Sequence, residues 1–177
     1  MGQVRGDDRG GVPSVTDNAI LILTTGGTID KNYFDALSEY QIVDSAIAQL
    51  LMEARASLPF RIEEVCRKDS LELTDADRAE IVRHAGEAAE TRIIITHGTD
   101  TMTDTAKALA GVTGKTIVLT GALAPARFAQ SDAAFNLGMA VAAAQVARPG
   151  VYIAMSGQVF DGLKVRKDRE AGRFVAI

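Results

Sequence analysis

Ala19-Ile20-Leu21-Ile22-Leu23 is an unbroken apolar run that leads straight into Thr24-Thr25-Gly26-Gly27-Thr28. A strand apolar at every position is buried on both faces, the mark of a parallel sheet covered by helices. Arg92–Ile95 and Thr116–Leu119 have the same character, and a fourth run, Val151–Met155, follows Pro149-Gly150. Arg61–Val65 is partly polar and belongs nearer an edge. Helical patterns separate these strands. Thr74 can cap a helix with Asp75 and Asp77 in its first turn, after which Ala79, Val82, Ala85 and Ala89 recur at helical spacing. Met102, Ala106 and Leu109 give a second helix its stripe, an alanine-rich helix covers roughly Ser131 to Gln145, and another lies near Asp44 to Arg55. The alternation predicts a three-layer α/β/α sandwich with a mostly parallel sheet, Rossmann- or flavodoxin-like.

Composition narrows the function classes. A chain of 177 residues, 47% apolar, suits one domain with a real core. Residues 1–17 carry four glycines, mixed charges and no apolar segment of the secretory kind. They read as a flexible leader, with the domain over 18–177. A net charge of −4 provides no basic footprint for nucleic acid, and no run approaches the ~18 apolar residues of a membrane span. The single cysteine, Cys66, cannot form an internal disulfide and points to a reducing, cytoplasmic setting. Its plainest role is that of a small buried hydrophobe. Two histidines and one cysteine cannot assemble a zinc site at a usual spacing, so no metal and no cofactor are expected. Gly114-Lys115-Thr116 resembles the tail of a phosphate loop, yet it precedes a strand and Leu109 stands where the earlier glycine belongs. Thr25-Gly26-Gly27-Thr28 lacks the third glycine of a dinucleotide fingerprint. No Gly-x-Ser-x-Gly elbow accompanies His97, and His84 reads as a helix-surface residue.

The strand ends carry the chemistry. One strand opens into Gly26-Gly27-Thr28 and another into Thr96-His97-Gly98-Thr99-Asp100-Thr101; two more end in Thr120-Gly121 and Ser156-Gly157. Ligands of open α/β sheets bind beyond the carboxyl ends of the strands. Glycine there admits close backbone approach, and hydroxyls supply donors or a nucleophile; the plain alternative is that these residues only make tight turns. A threonine hydroxyl needs a neighbouring base, which a neutral lysine amine can be. Asp100 could orient that amine, hold a substrate ammonium, or simply cap a helix. Backbone N–H groups around Gly27, Gly98 and Thr99 could form an oxyanion hole. Together these parts suit acyl transfer from an amide.

Thr25-Gly26-Gly27-Thr28-Ile29 resembles the first signature of the bacterial-type L-asparaginase and glutaminase family, and His97-Gly98-Thr99-Asp100-Thr101-Met102 its second. The likeness continues through Thr120-Gly121-Ala122, Asp132…Phe135-Asn136-Leu137 and Asp161-Gly162…Lys167, so that it spans roughly Ala19 to Phe174. It is a likeness to the family's N-terminal catalytic domain. The resemblance implies that Thr28 attacks the side-chain amide, that Thr99 and Lys167 are the second threonine and its activating lysine, and that Asp100 holds the substrate's α-amino group. Ser70, in Asp69-Ser70-Leu71-Glu72, corresponds to the serine that contacts the α-carboxylate, with Asp69 beside it. Tyr40, followed by Gln41-Ile42-Val43, suits the tyrosine of the family's mobile loop better than Tyr33. Lys164, Arg166 and Arg169 surround Lys167, so a basic surface cluster is the competing account of that lysine.

The pattern also departs from the family. Asp30-Lys31-Asn32-Tyr33 replaces the small or glycine-rich residues usual after the first signature. Family members continue into a second, smaller α/β domain and form active sites between subunits, and this sequence stops where the linker is expected. The expectations are therefore an amidohydrolase acting on asparagine, glutamine or a related small amide, with altered specificity and self-association at least to a dimer. The alternatives are a non-catalytic domain that binds an aspartate-like amino acid and, more remotely, a nucleotide-binding module.

Overall fold

The computed structural model describes residues 19–34 and 39–177; the expected leader over 1–17 lies outside them. Along the chain run β1 (Ile20–Gly26), β2 (Lys31–Phe34), β3 (Glu39–Ile42), α1 (Ile47–Glu53), β4 (Phe60–Lys68), α2 (Asp75–Glu87), β5 (Arg92–Thr96), α3 (Met102–Ala108), β6 (Thr116–Thr120), α4 (Ala133–Val146), β7 (Gly150–Met155), β8 (Gln158–Asp161), β9 (Val165–Asp168) and β10 (Arg173–Ala176). Six strands make the central sheet in the order β4-β1-β5-β6-β7-β8. All neighbours are parallel except β7 and β8. The partly polar β4 sits at one edge, as its composition predicts.

Residues of each inner strand alternate between two cores. Leu21, Leu23, Ile93, Ile95, Ile117 and Leu119 face α2 and α3. Ile20, Ile22, Ile94 and Val118 face α1 and α4. This is the predicted three-layer sandwich, and each fully buried Leu or Ile contributes about 1.5–3 kcal/mol.

Three details refine or correct the expectation. In α2 Ile81 and Ala85 are buried and Val82 packs at the edge of the core, while Ala79 and Ala89 are not buried; two of the four expected positions face the sheet, and the stripe centres on Ile81, which the alanine spacing passes over. The Thr74 cap is a full capping box, with Asp77 returning to the Thr74 N–H at 2.8 Å. Ser156-Gly157 is a two-residue hairpin turn into antiparallel β8, with φ of 51° and 85°. Positive φ at both central positions is what the tight hairpin turn of twisted strands requires, so this strand end serves the turn.

Two small ribbons flank the sheet: β2 pairs with β3, and β9 with β10. The first is anchored at its base by Asp30, 1% exposed, whose carboxylate accepts from Ser45 Oγ and the Ala46 N–H at 3.0 Å each. Burial raises the Asp30 pKa against the pull of those donors. The second docks through Val165 and Phe174, both buried, with Phe174 against Phe160 at a ring separation of 6.5 Å.

Candidate functional site

β1 and β5 are adjacent and in register, with Thr24 opposite Thr96, so their two loops leave the sheet side by side. Gly27 has φ +84°, and a Cβ there would meet the Gly98 N at 2.4 Å. Only glycine allows this approach. The residues that follow, Thr28 and Thr99, are thereby held at the same end of the sheet. Gly121 closes the third side, since a Cβ on it would lie 2.3 Å from the His97 carbonyl oxygen.

His97 fixes the second loop. It is fully buried; Nδ1 donates to the Gly98 carbonyl at 2.7 Å, and Nε2 accepts from the Thr105 hydroxyl at 2.8 Å. Burial depresses its pKa to about 4, so the ring is neutral at ordinary pH. Its part in the site is to position the loop.

The lysine arrives from far along the chain. Lys167, on β9, donates from Nζ to Thr99 Oγ1 and to Asp100 Oδ1, each at 2.7 Å. Its side chain is 14% exposed, against 40% for Asp100. This geometry separates Lys167 from its basic neighbours, since it is engaged with the strand-end loop. Asp100 is no helix cap: α3 is preceded by Thr101, and the Asp100 carboxylate turns to the lysine.

Thr28 lines a cleft of about 350 Å³ with Lys31, Tyr40, Leu123, Ala124, Pro125 and Phe128. Its hydroxyl has no hydrogen-bond partner among the described residues. Thr25 and Thr120, by contrast, donate to Thr96 and Ala154 carbonyls on neighbouring strands, a purely structural use. Asp100 and Lys167 line a second cleft of about 250 Å³ with Leu71, Leu123, Arg169 and Gly172. Leu123 belongs to both and stands between them. The loop that carries it is held by Asp132, which accepts from the Leu123 and Ala124 N–H groups at 3.0 Å. Asn136 clamps the same region, donating to the Gly121 carbonyl and accepting from the Ser156 N–H.

The tyrosines face each other across the β2–β3 ribbon, with ring centroids 5.1 Å apart. Tyr40 lines the Thr28 cleft and packs on Phe128 at 6.1 Å; Tyr33 lies beyond it.

Other expected residues fare differently. The Gly27 N–H donates to the Lys68 carbonyl at 3.0 Å, so it is unavailable to an oxyanion. The Gly98 and Thr99 amides have no such backbone partner among the described residues. Ser70 packs beneath Gly98 and is 1% exposed, its hydroxyl sealed from the clefts and without a partner among the described residues. Asp69 is bound to Lys31 Nζ at 2.6 Å and caps the short turn at Leu71. Burial pushes the Asp69 carboxyl up, but Lys31 and the Leu71 N–H outweigh it and hold the pKa low.

The remaining candidates are structural. Cys66 is half-buried against the Thr25 carbonyl, and burial pushes its thiol up to about 11, leaving it inert. His84 is only partly exposed and bonds to Glu63 on the edge strand. Lys115 of the phosphate-loop decoy bonds the Glu90 carbonyl, just ahead of β5. Sequence reasoning missed His97 and Asp30 as positioning groups; both stand among polar and glycine residues, and nothing in residue order announces their burial.

Comparison with known proteins agrees with this geometry. Residues 19–174 match the family model described as Asparaginase, N-terminal. The chain is 33% identical over 163 residues to an L-asparaginase of Thermococcus kodakarensis, covering 86% of this chain and 48% of that one. It is 32% identical over 162 residues to a glutaminase-asparaginase of Pseudomonas fluorescens biotype A, covering 84% and 45%. It is 34% identical over 167 residues to a component of the glutamyl-tRNA(Gln) amidotransferase of Methanococcus vannielii, covering 84% and 38%. The chain thus spans about half or less of the length of these relatives. The solved structure of the thermostable Thermococcus kodakarensis L-asparaginase superposes with a TM-score of 0.79 at 30% identity, over 90% of this chain and 51% of that one.

Proposed function

This chain belongs to the asparaginase family, and from that premise we propose that it is an amidohydrolase. It hydrolyses the side-chain amide of asparagine, glutamine or a related small amide and releases ammonia. The observation that carries this reading is the Lys167 amine, 2.7 Å from both Thr99 Oγ1 and Asp100 Oδ1, beside the loop that ends in Thr28.

Thr28 is the nucleophile. Its Oγ adds to the amide carbon, and the carbonyl oxygen takes the negative charge, held by the Gly98 and Thr99 N–H groups. Thr99 passes its proton to the Lys167 amine and accepts the proton of the attacking hydroxyl. The resulting ammonium returns a proton to the leaving nitrogen, so ammonia departs and an ester to Thr28 remains. Water repeats the sequence and frees Thr28 and the acid. Asp100 orients the amine throughout, and Tyr40 covers the Thr28 cleft.

Two further readings accompany this one. A reducing, cytoplasmic setting fits the unpaired thiol of Cys66. Self-association at least to a dimer fits α4, which is uncharged over its 14 residues and exposes Phe135 and Val146 at 61% and 83%. No helix among the described residues is long and apolar enough to cross a membrane.

The test is ammonia release from asparagine and glutamine, wild type against Thr28→Ala. The expected result is turnover by the wild type and a fall to background in the variant. If neither amide is turned over while aspartate raises the melting temperature, the chain is a binding domain and the hydrolase reading is wrong.

A further inference from the structure

The cleft beside Thr28 is larger and less polar than the departure of ammonia requires. It holds about 350 Å³, where a leaving group the size of a water needs about 30 Å³. Its walls are the rings of Tyr40 and Phe128 with Leu123, Ala124 and Pro125. Its one charged side chain, Lys31, has its amine turned to Asp69 at 2.6 Å. Tyr40 and Phe128 are 52% and 38% exposed, so both rings have surface left to cover.

This wall is tied to the nucleophile's own turn. The Ala126 N–H donates to the carbonyl of Ile29, the residue after Thr28, at 3.0 Å. The Phe128 N–H closes a turn onto the Pro125 carbonyl at 3.0 Å, and Arg127 Nη2 donates to the Asp44 carbonyl at 2.7 Å. Phe128 is thus fixed relative to Thr28 through short backbone links.

An amide carbon attacked by Thr28 carries three substituents. On the amidohydrolase reading, its oxygen lies at the Gly98 and Thr99 N–H groups. Its carbon chain leads to Asp100, which holds the amino end, and to the Asp69-Ser70 turn, which holds the carboxylate end. The nitrogen is left facing the cleft of Tyr40 and Phe128. Resting on that reading, we propose that this cleft is a subsite for an apolar group on the amide nitrogen, so that the chain cleaves N-aralkyl side-chain amides and releases an amine in place of ammonia. Thr28 Oγ forms the ester bond and the carbon–nitrogen bond breaks. The Lys167 ammonium returns the proton to that nitrogen, which departs as the free amine, and water then frees the acid. An aryl group seated there meets two rings in the tilted packing that aromatic pairs favour.

The test follows aspartate release from asparagine and from the β-benzylamide of L-aspartate. The expected wild-type kcat/KM for the benzylamide at least matches that for asparagine, with KM lower by about tenfold from burial of the phenyl ring. In Phe128→Ala the ratio of the two kcat/KM values falls by about tenfold, a ratio that general loss of folded protein does not move; Phe128→Leu lowers it less. If asparagine is cleaved and the benzylamide has less than about a tenth of its kcat/KM, or if the ratio is unmoved in Phe128→Ala, the proposal is overturned while the amidohydrolase reading stands. A dimer that dissociates in Phe128→Ala with the ratio unmoved would assign this wall to a second copy, and overturns it equally. If neither amide is cleaved, the amidohydrolase reading fails and calorimetry decides the subsite. Benzylamide binding about tenfold tighter than asparagine, with the gain lost in Phe128→Ala, supports it; equal or weaker binding sinks it.

Discussion

The two halves of the site are built in opposite ways. The threonine half stands on β1 and β5, inner parallel strands whose residues are 0–2% exposed along most of their length. The lysine half stands on β9 and β10, a ribbon of two four-residue strands held to the body by little more than Val165 and Phe174. One half is fixed by the main core and by backbones touching at Gly27 and Gly98. The other is a light arm that delivers one amine to Thr99. Placement of the nucleophile and placement of its proton acceptor can therefore be perturbed separately.

The severest break is Gly27→Val. A Cβ there would press on the Gly98 backbone at 2.4 Å in a left-handed region that branched residues shun. We expect a lowered melting temperature and more than about 10²-fold loss of ammonia release, since misplacement near 1 Å has that cost. A variant with wild-type rate and melting would mean that the two loops need not touch.

Next in size is a pH effect on the threonine half. The His97 pKa is lowered from 6.5 to about 4 by burial. Between those values the unfolded chain holds a proton that the folded chain does not, so stability rises with pH across the window and is lost as pH falls from about 6.5 to about 4. The contribution is up to about 3 kcal/mol. Chemical denaturation at pH 7 and pH 4.5 reads it, and His97→Gln should flatten that difference; an unchanged pH dependence would contradict a buried neutral ring.

Lys167→Met addresses the arm. It removes the amine and should cost about 10²-fold in kcat with little change in stability. A near-wild-type rate would take Lys167 out of the mechanism. Smallest is Phe174→Leu, a trimmed contact in the ribbon's anchor, expected to cost about 1 kcal/mol by thermal melting and to lower kcat more than it raises KM. Equal effects on both parameters would show that the ribbon does not position the amine.

The same contrast explains what could be read in advance. Unbroken apolar strands declare their own burial, so the parallel sheet, its polar edge strand and the threonines at its ends followed from residue order. The ribbons do not declare themselves. Val165-Arg166-Lys167-Asp168 has one buried apolar residue and reads as a basic surface cluster; its course depends on where Phe174 docks. Glu39-Tyr40-Gln41-Ile42 is largely exposed in the same way, and its pairing with β2 is set by Asp30 holding the ribbon's base. The fate of the Gly27 N–H was also hidden, because it depends on a register irregularity between β1 and β4 at Thr24 and Gly26. Ser70 was placed by motif and not by packing, and packing put it under Gly98.

In the proposed chemistry the light arm and the sheet end act as one proton-handling unit, and a double-mutant cycle on kcat with Thr99→Ala and Lys167→Met probes that unity without intermediaries. If the 2.7 Å contact carries the chemistry, the double variant will be no slower than the slower single variant, because either change disables the same unit. Losses that multiply would show the threonine and the lysine working independently, and the shared unit would have to be abandoned.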